Sequence, residues 1–291
     1  MQKLRISSKP NEALAPEEIA EALLTEAGAA DAFPTDEHKL LDFLQLKQLS
    51  FDFAKEFDFL SDVPDLPQKL RAALSLDEKV VATHSGLGEK RFRFSVLHEV
   101  AHYVLPEHRR LYLDTDETLS LRTRHRMERE ANRMAAELLF QGNRFTEESL
   151  ALPLSCRTVH ELSPKYGASY ESGIRRYVER HVLPCAVIVY DRVSRDPEES
   201  DPEDARYQIQ YTIASPSFRK RYFTSVESKE PFSRDSDIFK VHAARDVGNV
   251  AETELVVERT DRGNWHFETE LFTNGYNIFQ FVVRPVQPKG K

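Results

Sequence analysis

Two histidines and a glutamate interrupt the otherwise apolar segment FSVLHEVAHYVL at positions 94–105. His98 and His102 are four residues apart, so on an α-helix their imidazoles lie on one face, one turn from each other. Two imidazoles placed in this way can bind a single metal ion. Glu99 lies about 100° further around the helix, which is unfavourable for ligation but suitable for taking a proton from a water on the metal. The pattern therefore predicts a zinc site for hydrolysis, with Glu99 as the catalytic base.

The helix that carries these residues is predicted to be buried. In helical projection, Ser95 joins the three titratable residues in one arc of roughly 100°, and apolar or aromatic residues fill the rest of the circumference. Titratable groups without partners are costly in such surroundings. A bound metal ion therefore explains them better than a core helix whose histidines only form hydrogen bonds.

A catalytic zinc ion commonly takes three protein ligands, and His108 is one candidate for the third. It stands where the pattern HExxHxxGxxH would place a third histidine. That pattern needs a glycine to turn the chain, and this sequence has Leu105 there, followed by Pro106. Proline can stop the helix but lacks the backbone freedom of glycine. The expected position of His108 is a solvated turn after the helix.

The second candidate is Glu128, in the helix predicted over residues 124–140. In projection, Glu128 and Asn132 fall within the apolar arc, one turn apart, whereas Glu130 and Glu137 fall on the solvated face. A carboxylate on the apolar side needs a partner, and Asn132 is placed to support it near a metal. The alternative is that Glu128 forms an ion pair with an arginine one turn earlier. Ligation by Glu128 is the favoured interpretation.

Taken together, the segments RFSVLHEVAHYVL and EREANRMAAELLF resemble the ImmA/IrrE-type metallopeptidases, with the likeness covering roughly residues 10–180. The resemblance implies that His98, His102 and Glu128 bind one zinc ion and that Glu99 is the base. It also implies a small gluzincin-like domain, with helices beside a short curled sheet. The family usually has a methionine-proline pair after the two leucines of the second motif, where this chain continues with Phe140. That departure lies beyond the ligands and could alter the substrate groove.

The same resemblance gives an expectation of function. Members of the family are cytoplasmic and often cleave a helix-turn-helix repressor, which releases stress or mobile-element genes. A zinc-dependent endopeptidase with a protein substrate of this kind is therefore expected. The oligomeric state is not predicted.

Hydrophobic patterns around the motifs predict an α+β protein. Helices are expected from Pro16 and over 36–46, followed by a strand at 46–53 and a strand pair within 72–83. After Pro184 the sequence changes to β-branched and aromatic runs separated by turns.

These patterns predict that the chain is divided into three parts. Residues 1–150 are predicted to form the metallopeptidase domain, and residues 151–182 a helical, helix-turn-helix-like segment. Residues 183–291 are predicted to form a β-rich C-terminal domain that could sense a ligand or recruit a substrate.

Composition and charge narrow the class of function. The 291 residues are 40% hydrophobic and 30% charged, with a formal net charge of −8. Proteins that bind nucleic acid through bulk charge are usually basic, so direct nucleic-acid binding is not expected. Two cysteines without CxxC spacing, no secretory leader pattern and no long apolar stretch favour a cytoplasmic protein without membrane contact.

One alternative function comes from the helix-turn-helix-like segment. Arg175, Arg176 and Arg180 follow its turn, as in a helix that reads DNA. The alternative is therefore a DNA-binding transcriptional regulator whose metal site is structural or sensory. Packing against the rest of the protein is the favoured role of this segment.

Overall fold

A computed structural model describes most of the chain, at residues 15–52, 71–108, 121–193, 206–222, 226, 236–237, 249–257 and 264–285. The chain divides into two compact units. Unit 1 comprises Met1–Phe145 and Pro164–Ser169, and unit 2 comprises Thr146–Ser163 and Tyr170–Lys291.

Unit 1 combines helices with a small mixed sheet. Its elements are α1 (Pro16–Glu26), α2 (Glu37–Leu44), β1 (Lys47–Phe51), β2 (Ala72–Ser75), β3 (Val80–His84), α3 (Glu89–Val104) and α4 (Leu121–Leu139). The strand order is β1-β3-β2, in which β3 is parallel to β1 and antiparallel to β2. The predicted helices and strands of this region are confirmed. Proline in the first turn starts α1, and the Asp36 side chain caps α2.

Helix α3 is the central element of unit 1, since it packs against α2, α4, β2 and β3. Its fully buried apolar side chains are Val96, Leu97, Val100 and Ala101. They meet the buried face of α4, which includes Ala131, Met134, Ala135 and Leu138. The predicted burial of α3 is confirmed.

Arg93 fixes the first half of α3 within unit 1. Its guanidinium is buried and lies 3.2 Å from Glu37 of α2 and 3.1 Å from Glu89. It also donates to the carbonyl oxygen of Gly167 at 3.5 Å. A buried cation paired in this way costs far less than an unpaired one, and its partners fix its position.

Unit 2 is built on an antiparallel sheet. Helices α5 (Arg144–Leu150) and α6 (Cys156–Lys165) each contain residues assigned to both units. Helix α7 (Tyr170–Arg180) follows and belongs to unit 2. The remaining elements are β4 (Ala186–Val193), β5 (Arg206–Ala214), α8 (Pro216–Arg219), β6 (Ala251–Val257), β7 (Trp265–Thr273) and β8 (Ile278–Pro285). The sheet order is β5-β4-β8-β7-β6.

Aromatic side chains attach helices to this sheet. The ring of Tyr170 lies 4.4 Å from that of Phe272, and Tyr177 lies 5.9 Å from Phe281. Glu270 of β7 accepts hydrogen bonds from the backbone N–H of Cys156 and the hydroxyl of Ser155, which holds the start of α6. With two sheets and packed helices, the predicted α+β class is confirmed.

Both cysteines of the chain, Cys156 and Cys185, are buried and free of disulfide bonds. In the described part of the chain, no helix has the length and apolar character needed to cross a membrane.

Candidate metal centre

Helices α3 and α4 bring three donor side chains together. His98 and His102 lie one turn apart on α3, and their Nε2 atoms are 3.2 Å from each other. Glu128 of α4 faces both rings, with one carboxylate oxygen 3.3 Å from Nε2 of His98 and the other 3.5 Å from Nε2 of His102. Within the described residues, this is the one group of three His, Cys, Asp or Glu side chains spaced closely enough to hold a metal ion.

The spacing of these donors fits a single ion. Donors that bind one tetrahedral zinc ion at about 2.0–2.1 Å lie about 3.3 Å from each other. The separations of 3.2, 3.3 and 3.5 Å agree with that value. Two neutral imidazoles and one carboxylate are also a donor set that zinc uses in catalytic sites.

Glu128 is the exposed member of the group. Its side chain is 54% exposed, whereas the side chains of His98 and His102 are 17% and 3% exposed. The helical projection places Glu128 on the apolar side of its helix, but the structure places it at the rim. Hydrogen bonds from His102 and His98 hold the pKa of Glu128 well below its ordinary value. The carboxylate is therefore anionic at neutral pH and available as a ligand.

Glu99 is separate from the three donors, as its position on α3 requires. It is buried, with 7% exposure, and this burial raises the pKa of its carboxyl, while the charges of His98 and His102 oppose the shift. A carboxylate with a raised pKa accepts a proton more readily than an ordinary one. Its environment therefore suits proton transfer.

Asn132 lies one turn after Glu128 and forms a side-chain hydrogen bond with His98. Burial lowers the pKa of His98, but hydrogen bonds with Glu128 and Asn132 and the charge of Glu99 raise the pKa overall. Asn132 therefore lies close to one of the candidate ligands, and its supporting role beside a metal stays a prediction.

The expected solvated position of His108 is wrong. His108 is fully buried, and its Nδ1 lies 3.1 Å from Nδ1 of His102. Its Nε2 lies 3.2 Å from a carboxylate oxygen of Glu130. The chain does not open into a solvated turn at Pro106, because residues 106–108 form a further helical turn that returns His108 toward α3. Burial lowers the pKa of His108.

The predicted position of Glu137 on α4 is also wrong. The helical projection places it on the solvated face, but in the structure it is only 2% exposed. The projection assumes one apolar face, but α4 packs against both α1 and α3. An ion pair between Arg133 of α4 and Glu17 also joins α4 to α1. A helix with two neighbours buries a wider arc than one apolar stripe indicates.

This combination of an HExxH helix and a facing helix that supplies a glutamate is typical of a metallopeptidase domain. Residues 60–177 match the Peptidase_M78 family model, described as an IrrE N-terminal-like domain, so this part of the chain is similar to that family. The resemblance found in the two motifs is thereby confirmed.

Among solved structures, a Mycobacterium tuberculosis transcriptional regulator has a similar fold, with a TM-score of 0.56 and 13% sequence identity. The likeness covers 92% of this chain and 76% of that chain. At this identity it shows a shared fold alone. No curated protein matches the sequence significantly.

Proposed function

We propose that this protein is a metal-dependent endopeptidase that hydrolyses a peptide bond in a protein substrate. The observation that carries the proposal is the convergence of His98, His102 and Glu128 on one point, with the buried Glu99 next to His98. The match of residues 60–177 to a peptidase family supports the same reaction class.

Each side chain has a separate role in this proposal. His98, His102 and Glu128 would hold a single ion, for which zinc is the proposed identity. When bound, such an ion supplies Lewis acidity for a peptide carbonyl and for a water molecule. Glu99 takes up a proton from the attacking water and delivers it to the leaving amine, a shuttle favoured by its raised pKa.

The proposed substrate is a protein, and a helix-turn-helix transcriptional repressor is the class that the family resemblance favours. Cleavage of such a repressor would derepress the genes that it controls. The solved structure with a similar fold is itself titled a transcriptional regulator, which is compatible with a role in transcription.

Direct DNA binding by α6 and α7 has less support. Arg176, one of the three arginines after the turn, is 5% exposed and therefore poorly placed to contact a phosphate. Helix α7 packs against β4 and β5, and the guanidinium of Arg175 lies 5.1 Å from the ring centre of Tyr211. These contacts favour a packing role for the two helices.

The proposal is tested with Glu99→Gln, which keeps the size of the side chain and removes its capacity to take up a proton. We expect this variant to retain bound metal and to cleave a cognate repressor at least about 100-fold more slowly, since general acid–base catalysis contributes about 10²- to 10⁴-fold. Candidate substrates are helix-turn-helix repressors encoded beside its gene, with cleavage followed by electrophoresis and mass spectrometry.

Glu147→Gln provides the matched control, because Glu147 is an exposed carboxylate of α5 with no part in the candidate site. It should cleave at nearly the rate of the unaltered protein. Cleavage by Glu99→Gln at that same rate would refute the proposed role of Glu99.

A further inference from the structure

His102 has a polar partner on the side away from the other two donors. Its Nε2 faces His98 and Glu128, and its Nδ1 lies 3.1 Å from Nδ1 of the fully buried His108. His108 in turn places Nε2 3.2 Å from Glu130. A continuous chain of hydrogen bonds therefore leads from Glu130 through His108 to His102.

For neutral rings, one proton arrangement satisfies every contact in this chain. If Nε2 of His102 binds a metal ion, that nitrogen carries no proton, so Nδ1 carries one and donates it to His108. Nδ1 of His108 then accepts, which places its proton on Nε2, where it is donated to Glu130. Each donor meets an acceptor, and the end of the chain is an anion.

Glu130 is itself held in place from the outer side. Its second carboxylate oxygen lies 3.8 Å from the guanidinium of Arg126, one turn earlier on α4. Arg126 also contacts Glu107 at 3.2 Å, next to His108 in the sequence. The Glu130 carboxylate, which accepts the hydrogen bond from His108, is therefore also held in position by the positive charge of Arg126.

The other imidazole of the group lacks this support. Nδ1 of His98 is buried and has no hydrogen-bond partner among the described residues. The ring of His98 is therefore oriented by contacts at Nε2, whereas the ring of His102 is held at both nitrogens. The two histidines of the motif have equivalent positions on the helix but different surroundings.

We propose that His108, supported by Glu130, is a positioning residue that fixes the tautomer and ring orientation of His102 for metal binding. Hydrogen-bond partners of metal ligands commonly act in this way, and their loss costs about 10- to 100-fold in metal affinity. The inference rests on the proposed function only in requiring that the three donors bind a metal ion.

The test compares two replacements of His108 in the full chain. His108→Leu keeps an apolar side chain of moderate size and removes the acceptor for Nδ1–H of His102. His108→Asn places an amide oxygen near the position of the lost Nδ1 and can accept the same hydrogen bond. Zinc affinity is measured by competition with a chromophoric chelator, and the cobalt-substituted proteins are compared by visible absorption.

We expect His108→Leu to bind zinc about 10- to 100-fold more weakly and to show an altered cobalt spectrum. His108→Asn should recover affinity to within about threefold of the unaltered protein. Equal losses in the two variants, or unchanged affinity in His108→Leu, would overturn the proposal.

Glu130→Ala keeps the proposal testable if His108→Leu does not fold, because Glu130 is at the surface edge, with its side chain 36% exposed. It should weaken zinc binding by about 3- to 10-fold, a smaller loss in the same direction. Unchanged zinc affinity in Glu130→Ala would count against the proposed positioning role of His108 and Glu130. If the unaltered protein binds zinc but cleaves no protein, the proposed function fails while the positioning role stands.

Discussion

Glu128 supplies the negative charge of the candidate metal centre, from a position that is more exposed than either imidazole. A half-exposed carboxylate with a lowered pKa is stabilised by its partners, which here are His98 and His102. With a metal ion bound, the same carboxylate would balance part of the ion's charge.

Replacing Glu128 by Gln removes this charge and preserves the shape of the side chain. We expect zinc affinity to fall by at least about 100-fold, because loss of a direct ligand should cost more than loss of its hydrogen-bond partner. The measurement is chelator competition on the full chain, with zinc content after dialysis as a second readout.

Glu147→Gln is the control for Glu128→Gln, since Glu147 is an exposed carboxylate of α5, distant in sequence from the three donors. It should bind zinc like the unaltered protein. Wild-type affinity in Glu128→Gln would mean that another residue completes the ligand set.

The sequence identifies part of this site and misses part of it. His98, Glu99 and His102 follow from one short motif, and Glu128 follows from the helical projection together with that motif. His108 is misplaced because its burial depends on Glu130, 22 residues away on another helix. Contacts of that kind are set by packing and leave no local signal in the sequence.

At the level of elements, the buried turn after α6 supports the start of α3. Gly167 in this turn has a φ of +61°, a backbone conformation that glycine adopts without strain. A Cβ at this position would lie 2.3 Å from Nη1 of Arg93 and 2.8 Å from Cβ of Pro34. The absence of a side chain therefore allows Arg93 to reach the turn.

Gly167→Ala should lower the free energy of unfolding by about 2–4 kcal/mol, since a left-handed alanine costs about 1–2 kcal/mol and the steric overlap adds to it. Urea denaturation of the full chain measures the loss. Gly28→Ala separates the two contributions, because Gly28 has a φ of +63° but open space within 4 Å of the point that a Cβ would occupy. If both variants lose the same free energy of unfolding, the steric overlap with Arg93 and Pro34 does not contribute to the loss.

Local signals predict several elements well. Pro16 marks the start of α1, the alternating run at 46–53 predicts β1, and a strand pair is predicted within 72–83, where β2 and β3 lie. The further helical turn at 106–108 is missed because leucine and proline replace the glycine of a known pattern, a change that favours a stop. The second buried side of α4 is missed because it depends on α1, more than one hundred residues earlier.

For the whole molecule, composition and patterning predict the α+β class and a β-rich C-terminal part. The order β5-β4-β8-β7-β6 could not be predicted, because the pairing of β4 with β8 joins strands far apart in the sequence, although the other pairings join consecutive strands. The net charge of −8 and the buried Arg176 both favour a protein substrate over DNA as the proposed partner.

The central claim is that one metal ion is bound by two imidazoles and one carboxylate. X-ray absorption at the zinc edge of the zinc-loaded full chain tests it most directly. We predict one ion per chain, with nitrogen and oxygen neighbours at about 2.0–2.2 Å and the outer-shell signature of two imidazoles. Sulfur at about 2.3 Å, three imidazoles, or no stoichiometric zinc binding would contradict the claim.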